Sequence, residues 1–426
     1  MAKVVFFNIP AHGHINPTLP VVQELVRGGA TVIYYALEEF RQRIEASGAT
    51  FRAYDELSET VTFNFGAEDR KSPSLAGICR VMIEFCEKSL PFLLQATRED
   101  RPDYILHDFT CIWGKYVSEI LGIPAITIIP QFPVNMKRRP APYPGMLTDL
   151  ARMFVTGIPA LIQFQRTARR ISQTYSVTKP GLLNMLANHE DLNIVFTSRY
   201  FQPYANDFND SFVFVGPSIA ERNETPDFSW DFGEGPLVYI SLGTTIFSAK
   251  LKFYQQCFKA FGNTAKRVIV SVGASTDLRS LGDVPKNFLV RNHIPQLEVL
   301  KRADAFITHG GMNSVSEGLW YGVPLVVIPQ GSDQFLVAQR VEELEAGIVL
   351  DRRRVMPEML HQAVEQAISD RSIRANAKVI GESFREAGGF VRAVHEITLF
   401  TAGKRAIILF LIAAVLAFVQ RAVTGI

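Results

Sequence analysis

Residues 291–334 read RNHIPQLEVLKRADAFITHGGMNSVSEGLWYGVPLVVIPQGSDQ. Ala305–Thr308 is a short apolar run, a helical pattern begins near Asn313, and Leu325–Ile328 is a second apolar run. Strand, helix and strand at this spacing form a parallel pair with a crossover helix. The loop THGGMNSVSEG, residues 308–318, joins the first strand to the helix. Gly310 and Gly311 let backbone approach a ligand closely. Asn313 and Ser314 open a helix whose unpaired N–H groups and dipole suit an anion. His309 can add a donor to a phosphate oxygen. A Walker loop is absent, and a tight turn with a capped helix is the structural alternative.

The same alternation extends in both directions. Leu237–Ser241 and Arg267–Ser271 read as strands around a helix near 249–261. Residues 216–236, GPSIAERNETPDFSWDFGEGP, are rich in Gly, Pro and charge and read as a linker. Before it, Val4–Asn8, Thr31–Ala36, Tyr104–His107, Ala125–Ile129, Ile194–Thr197 and Phe212–Val215 are strand-like, with a helix from Pro17 to Arg27. The α/β pattern implies two doubly wound halves. Residues 130–190 interrupt the first half, and an insertion of that length suits a lid or a substrate wall.

The chain has 426 residues, enough at roughly 150 per domain for two or three domains. Its 44 basic and 42 acidic residues leave a net charge of +2, which disfavours a basic nucleic-acid binder and an acidic disordered chain. Cys79, Cys86, Cys111 and Cys257 form no CxxC pair, so neither a zinc site nor a redox dithiol is expected, and a reducing, cytoplasmic setting is. The start has no long apolar run, so no secretory signal peptide is expected. Ala406–Val419 is an unbroken run of fourteen apolar residues. That is short of the roughly 20 needed to span a bilayer. The 404–426 tail is expected to associate with the cytoplasmic face of a membrane, with a buried or self-associating helix as the alternative.

Sites in open α/β sheets form at the carboxyl ends of strands. There, AHGHINP at residues 11–17 offers His14 as a general base. HDF at residues 107–109 offers Asp108 as a carboxylate to orient it, or as a helix cap. SLGTT at 241–245 supplies hydroxyls and a glycine, and PQGSDQ at 329–334 supplies Asp333 and Gln334 for sugar hydroxyls. The first loop has no GxGxxG, which disfavours a flavin or nicotinamide enzyme.

Together these residues resemble the inverting, metal-independent UDP-dependent glycosyltransferases of the bacterial macrolide and antibiotic branch, over about residues 1–400. The resemblance implies a GT-B fold: two facing Rossmann-like domains, 1–215 for the acceptor and 237–403 for the UDP-sugar, with linker 216–236 and an apolar helical tail at 404–426. It implies His14 as the base and Asp108 as its partner. His309, Gly311, Asn313 and Ser314, with Ser241 and Thr244, match the diphosphate site. Glu317 matches the ribose ligand and Gln296 the glutamine beside the nucleoside. Asp333 and Gln334 match the pair on the sugar. His293 stands where many members carry a uracil-stacking Trp. No cofactor or metal is implied; the partners are a UDP-sugar and a hydrophobic, hydroxyl-bearing acceptor such as a polyketide, macrolide or phenol. Phe63, Phe65, Met82, Phe85 and Phe132 are either acceptor contacts or core. A transferase acting on a lipid or cell-envelope acceptor, and a membrane-bound nucleotide-sugar binding subunit without turnover, are the alternatives.

Overall fold

The computed structural model describes residues 2–54, 75–134, 146–220, 234–243, 250–274, 276–331 and 333–404. Thr244, Phe63, Phe65 and the tail beyond Lys404 lie outside the described residues.

Two parallel sheets carry the fold. The first contains β1 (Lys3–Phe7), β2 (Thr31–Ala36), β3 (Thr50–Ala53), β4 (Tyr104–Asp108), β5 (Ala125–Ile129), β6 (Asn193–Val195) and β7 (Phe212–Phe214). Its order is β3-β2-β1-β4-β5-β6-β7. The second contains β8 (Leu237–Ser241), β9 (Arg267–Ser271), β10 (Phe288–Arg291), β11 (Ala305–Thr308), β12 (Leu325–Val327) and β13 (Gly347–Val349), in the order β10-β9-β8-β11-β12-β13. Each order reverses once, between β1 and β4 and between β8 and β11. A crevice opens at such a reversal, because the crossover helices leave in opposite directions on its two sides.

The strands are apolar throughout because each sheet is covered on both faces. Val5 and Phe7 enter one buried cluster with Phe85, Leu90 and Trp113, while Val4 and Phe6 enter another with Val21, Val22 and Phe40. Two clusters flank the second sheet in the same way. Met82 and Phe85 belong to the core of the first half, and Phe132 packs with Phe201 in a cluster of the second. Their core reading holds in place of an acceptor contact. The insertion contributes a helix from Met146 to Tyr175 that lies against the helix Leu75–Asp100.

β3, β10 and β13 were not expected from the sequence. They are three to four residues long and stand at the sheet margins. Residues so short supply little periodicity to read.

The chain crosses back at its end. After the helix Arg371–Glu386 on the second half, a helix over 389–404 places Ala393 and Ile397 in the first half's cluster with Val4 and Leu106. Among the described residues no helix is long and apolar enough to cross a membrane. Ile397 is fully buried, so Ile397→Ala should lower stability by about 2–5 kcal/mol, the usual effect of emptying an aliphatic core position. Urea unfolding measures it; a change within experimental error would mean that this helix does not belong to the first core.

Candidate active site

The reversal in the first sheet decides where His14 and Asp108 meet. β1 and β4 are neighbours, with Phe7 opposite His107. The loop after β1 and the last residue of β4 therefore emerge side by side. His14 lies on a single helical turn, His12–Ile15. Its Nδ1 is 2.7 Å from Asp108 Oδ2. Asp108 is fully buried, while the His14 side chain keeps 18% exposure toward solvent. The other carboxylate oxygen, Oδ1, accepts from the Thr110 N–H at 2.9 Å and from the Thr110 hydroxyl. Asp108 is not the helix cap that its alternative reading expects, since the helix Ile112–Leu121 starts at Cys111 with no side-chain cap; one oxygen closes the turn at Thr110, and the other takes the histidine. Phe109 lies parallel to the imidazole, with ring centroids 5.8 Å apart.

Several supporting residues were invisible in the sequence. Asn8 is buried at the end of β1; its Nδ2 donates to the His14 carbonyl at 3.2 Å and to Tyr34 Oη at 2.6 Å. A polar residue ending an apolar strand was the available signal. Behind Asp108, the buried His107 sets Nδ1 3.0 Å from the Asp108 carbonyl and Nε2 3.3 Å from Glu190 Oε1. Lys115 donates to the same Glu190 oxygen at 3.1 Å. Burial works to raise the Glu190 carboxyl, but His107 and Lys115 outweigh it and hold that group below its usual range.

The second sheet presents the other cluster. Ser241 ends β8 opposite Thr308 of β11, so Ser241 and His309 leave adjacent strands. His309 is buried between Gly243 and Gly311. A Cβ on Gly243 would stand 2.6 Å from His309 Cε1, and Gly243 has φ +64. A Cβ on Gly311 would meet His309 Nε2 more closely still. Both glycines are required by the imidazole packed between them. Asn313 and Ser314 open the helix Met312–Trp320, which no side chain caps. The helix's first N–H groups are therefore left for another acceptor.

Gln296 and Glu317 are brought together: Gln296 Nε2 donates to Glu317 Oε2 at 2.6 Å. Tyr239 Oη, unforeseen in the sequence, donates to Gln296 Oε1 at 3.1 Å. Gln334 Oε1 accepts from the Gln330 N–H at 2.8 Å, which fixes the loop after β12. His293 is exposed just after β10. Asp333 begins the helix Asp333–Glu343 and interacts electrostatically with His14. The two halves thus meet at the histidine. Asn313 Nδ2 also donates to the Gly13 carbonyl across the cleft, at 2.9 Å. Among the described residues no cluster of His, Cys, Asp or Glu could hold a metal ion.

Two doubly wound sheets, each with its loops at the reversal, and a histidine–carboxylate pair facing a glycine-rich loop, are the architecture of the two-domain glycosyltransferases. A family model described as erythromycin biosynthesis protein CIII-like, C-terminal domain, matches residues 255–386. The chain is 34% identical over 398 residues to an uncharacterized UDP-glucosyltransferase, YojK, of Bacillus subtilis (strain 168), covering 93% of this chain and 97% of that protein. It is 36% identical over 400 residues to the NDP-glycosyltransferase YjiC of the same organism, with the same coverage of 93% and 97%. Among solved structures, the glycosyltransferase of kitacinnamycin superposes with a TM-score of 0.78 at 28% identity, over 93% of this chain and 98% of that one. The chain belongs to the UDP-glycosyltransferases of the antibiotic branch, and it is a glycosyltransferase.

Burial opposes a proton on His14, but the Asp108 carboxylate, by its charge and its hydrogen bond, and the Asp333 charge together outweigh burial and hold the imidazole above its ordinary value of 6.5. A raised folded-state value means that this pair adds stability in full below the unfolded value and loses it as pH rises through the folded one. In Asp108→Asn the burial, the largest influence, remains and only the Asp333 charge opposes it, so His14 should titrate lower than in the parent. Histidine NMR titration checks this; an unmoved midpoint would show that Asp108 does not control the ring.

Proposed function

We propose that the protein catalyses inverting, metal-independent transfer of a hexose, glucose, from a UDP-sugar to a hydroxyl of a hydrophobic small molecule such as a polyketide, macrolide or phenol. The 2.7 Å contact between His14 Nδ1 and Asp108 Oδ2 carries the reading. With Nδ1–H donating to the carboxylate, Nε2 bears the lone pair. It removes the proton of the acceptor hydroxyl while that oxygen forms its bond to the anomeric carbon. The bond from the anomeric carbon to the diphosphate oxygen breaks, and UDP leaves with the electron pair. Asp108 stabilises the imidazolium that results. A protein that only binds a nucleotide sugar has no use for such a pair.

In this reading residues 1–215, completed by the returning helix over 389–404, hold the acceptor, and the rest of 237–403 holds the donor, joined through 216–236. His309 and the uncapped start of the helix Met312–Trp320, with Ser241, Thr244, Gly311 and Ser314, receive the diphosphate. Preorganised donors at a developing charge are usually the largest single catalytic contribution. Glu317, held by Gln296, takes the ribose hydroxyls, and His293 lies beside the base. Asp333 and Gln334 take the sugar. Ser316 Oγ is buried with no hydrogen-bond partner among the described residues, beside Glu317 in the same gap, which suits a polar ligand there. The glucosyltransferase name of YojK supports glucose as the sugar. The natural product in the name of the kitacinnamycin enzyme supports the acceptor class.

UDP release from a panel of UDP-sugars, with and without phenolic and macrolide acceptors, tests the proposal. Release should depend on acceptor and withstand EDTA. It should fall by about 10²–10⁴-fold in His14→Ala, the usual worth of a general base, while calorimetric affinity for the UDP-sugar is retained. Unchanged transfer in that variant would sink the base assignment.

A further inference from the structure

The base-bearing turn, His12–Ile15, has no side-chain cap at its start and runs on through the 3-10 turn Asn16–Thr18 into the helix Leu19–Arg27. Gly13, immediately before the base, has no side chain and is exposed. The imidazole is held by Asp108, and the His14 carbonyl is held from below by Asn8. The backbone of the turn is closed by the His14 N–H on the Ala11 carbonyl at 2.9 Å, and one further contact, at the exposed Gly13, comes from the other half. Asn313, exactly three hundred residues along the chain, donates from Nδ2 to the Gly13 carbonyl at 2.9 Å. It stands two residues beyond the Gly311 that packs on His309. It also lines the gap between the halves with Pro17, Phe196, Ser218, Ser316 and Glu317.

We propose that Asn313 is the positioning residue that completes the base: its carboxamide, fixed at the mouth of the donor loop, holds the Gly13–His14 peptide in place only when the two halves are closed. This rests on the proposed role of His14. A carboxamide carries two N–H groups. One goes to the Gly13 carbonyl, and the other is available to a phosphate oxygen of the nucleotide sugar, which can only accept. One side chain then spans the donor and the base loop. A bound donor, by ordering the loop of Asn313, favours the closed arrangement in which His14 is aligned. With the halves apart the base loop loses this contact, so the histidine reaches its working position when a donor is present to receive the nucleophile. Misplacing a reacting group by about 1 Å can reduce a rate about a hundredfold, so one contact on so short a turn is enough to matter.

The role separates from that of a plain phosphate ligand by a split between turnover and affinity. Asn313→Ala removes both donors. Asn313→Asp keeps the size and removes the donors, and serves as the second variant should the first fail to fold. Each is assayed for kcat with acceptor and UDP-sugar saturating, and for UDP and UDP-sugar binding by calorimetry, beside His309→Ala. The expected result is a kcat lower by about ten- to a hundredfold in both variants, a larger factor than the accompanying loss of UDP affinity in Asn313→Ala. His309→Ala should lower UDP affinity and kcat together, since that side chain faces the diphosphate itself. Loss of UDP affinity in Asn313→Ala with kcat intact would make Asn313 a donor ligand only and overturn the proposal, as would unchanged kcat and affinity together. Failure of the underlying reading is seen separately, as full transfer in His14→Ala.

Discussion

The hydrogen bond between His14 and Asp108 depends on one topological fact. β1 and β4 are adjacent although β2, β3 and a long helix separate them in sequence. Only the reversal of strand order brings the loop after β1 against the end of β4. Everything else in the first half serves that junction. Trp113, on the helix that follows Asp108, is fully buried and donates to Tyr54 Oη. Tyr54 donates in turn to the carbonyl of Asn8, the residue that holds His14. A charged group with no exposure is tolerated only when its oxygens are occupied. Thr110 and His14 occupy them.

The second half repeats the arrangement with different chemistry. Its reversal sets Ser241 beside Thr308 and places His309 just beyond. Where the first half exposes a histidine tip, the second packs its histidine between two glycines and presents a helix start instead. The halves are joined at several points away from the cleft. Ser198 Oγ lies 2.8 Å from Ser383 Oγ, Arg340 donates to the carbonyls of Phe201 and Tyr200, and Phe201 meets Phe384 edge-on. A cavity of about 530 Å³ lies in this region, lined by Ser198, Phe212, Ser383 and Arg392. It contains neither histidine of the site. Volume is therefore a poor guide here, and the convergence of polar groups from two sheets is the better one.

The sequence was legible where its signals are local. The apolar runs of β1, β2, β4, β5, β8, β9, β11 and β12 are readable with their loops, and so are His14 with Asp108 as its partner, and His309; Gln296 and Glu317 came singly from the resemblance, and their hydrogen bond was not foreseen. What could not be read was of two kinds. β3, β10 and β13 are too short to show a period. Asn8, Tyr239, Glu190 and Lys115 act through partners far away in sequence, so no spacing announces them. The contact from Asn313 to Gly13 is the limiting case, since it exists only between folded halves. The final helix shows the same limit. Residues 389–404 follow the second half directly in sequence, but Ala393 and Ile397 complete the core of the first.

The charge on Asp108 serves two ends that oppose each other. In the role proposed for it, His14 must be unprotonated to begin the reaction, yet the carboxylate favours the protonated ring. The same preference makes His14 a stronger proton acceptor once the hydroxyl is in place. Efficiency is greatest when the two demands balance near the working pH. Burial supplies the counterweight, since it disfavours the imidazolium. Asp333 adds a further negative charge from the second half, and its own carboxyl is pushed up by burial and held back in part by His14. The second half thus brings to the His14 turn both a contact, Asn313, and a charge, Asp333. A nucleotide sugar that engages Asp333 through its hydroxyls would lie between that charge and the ring. The balance that governs the base is accordingly shared between the two halves, and it is complete only when they meet.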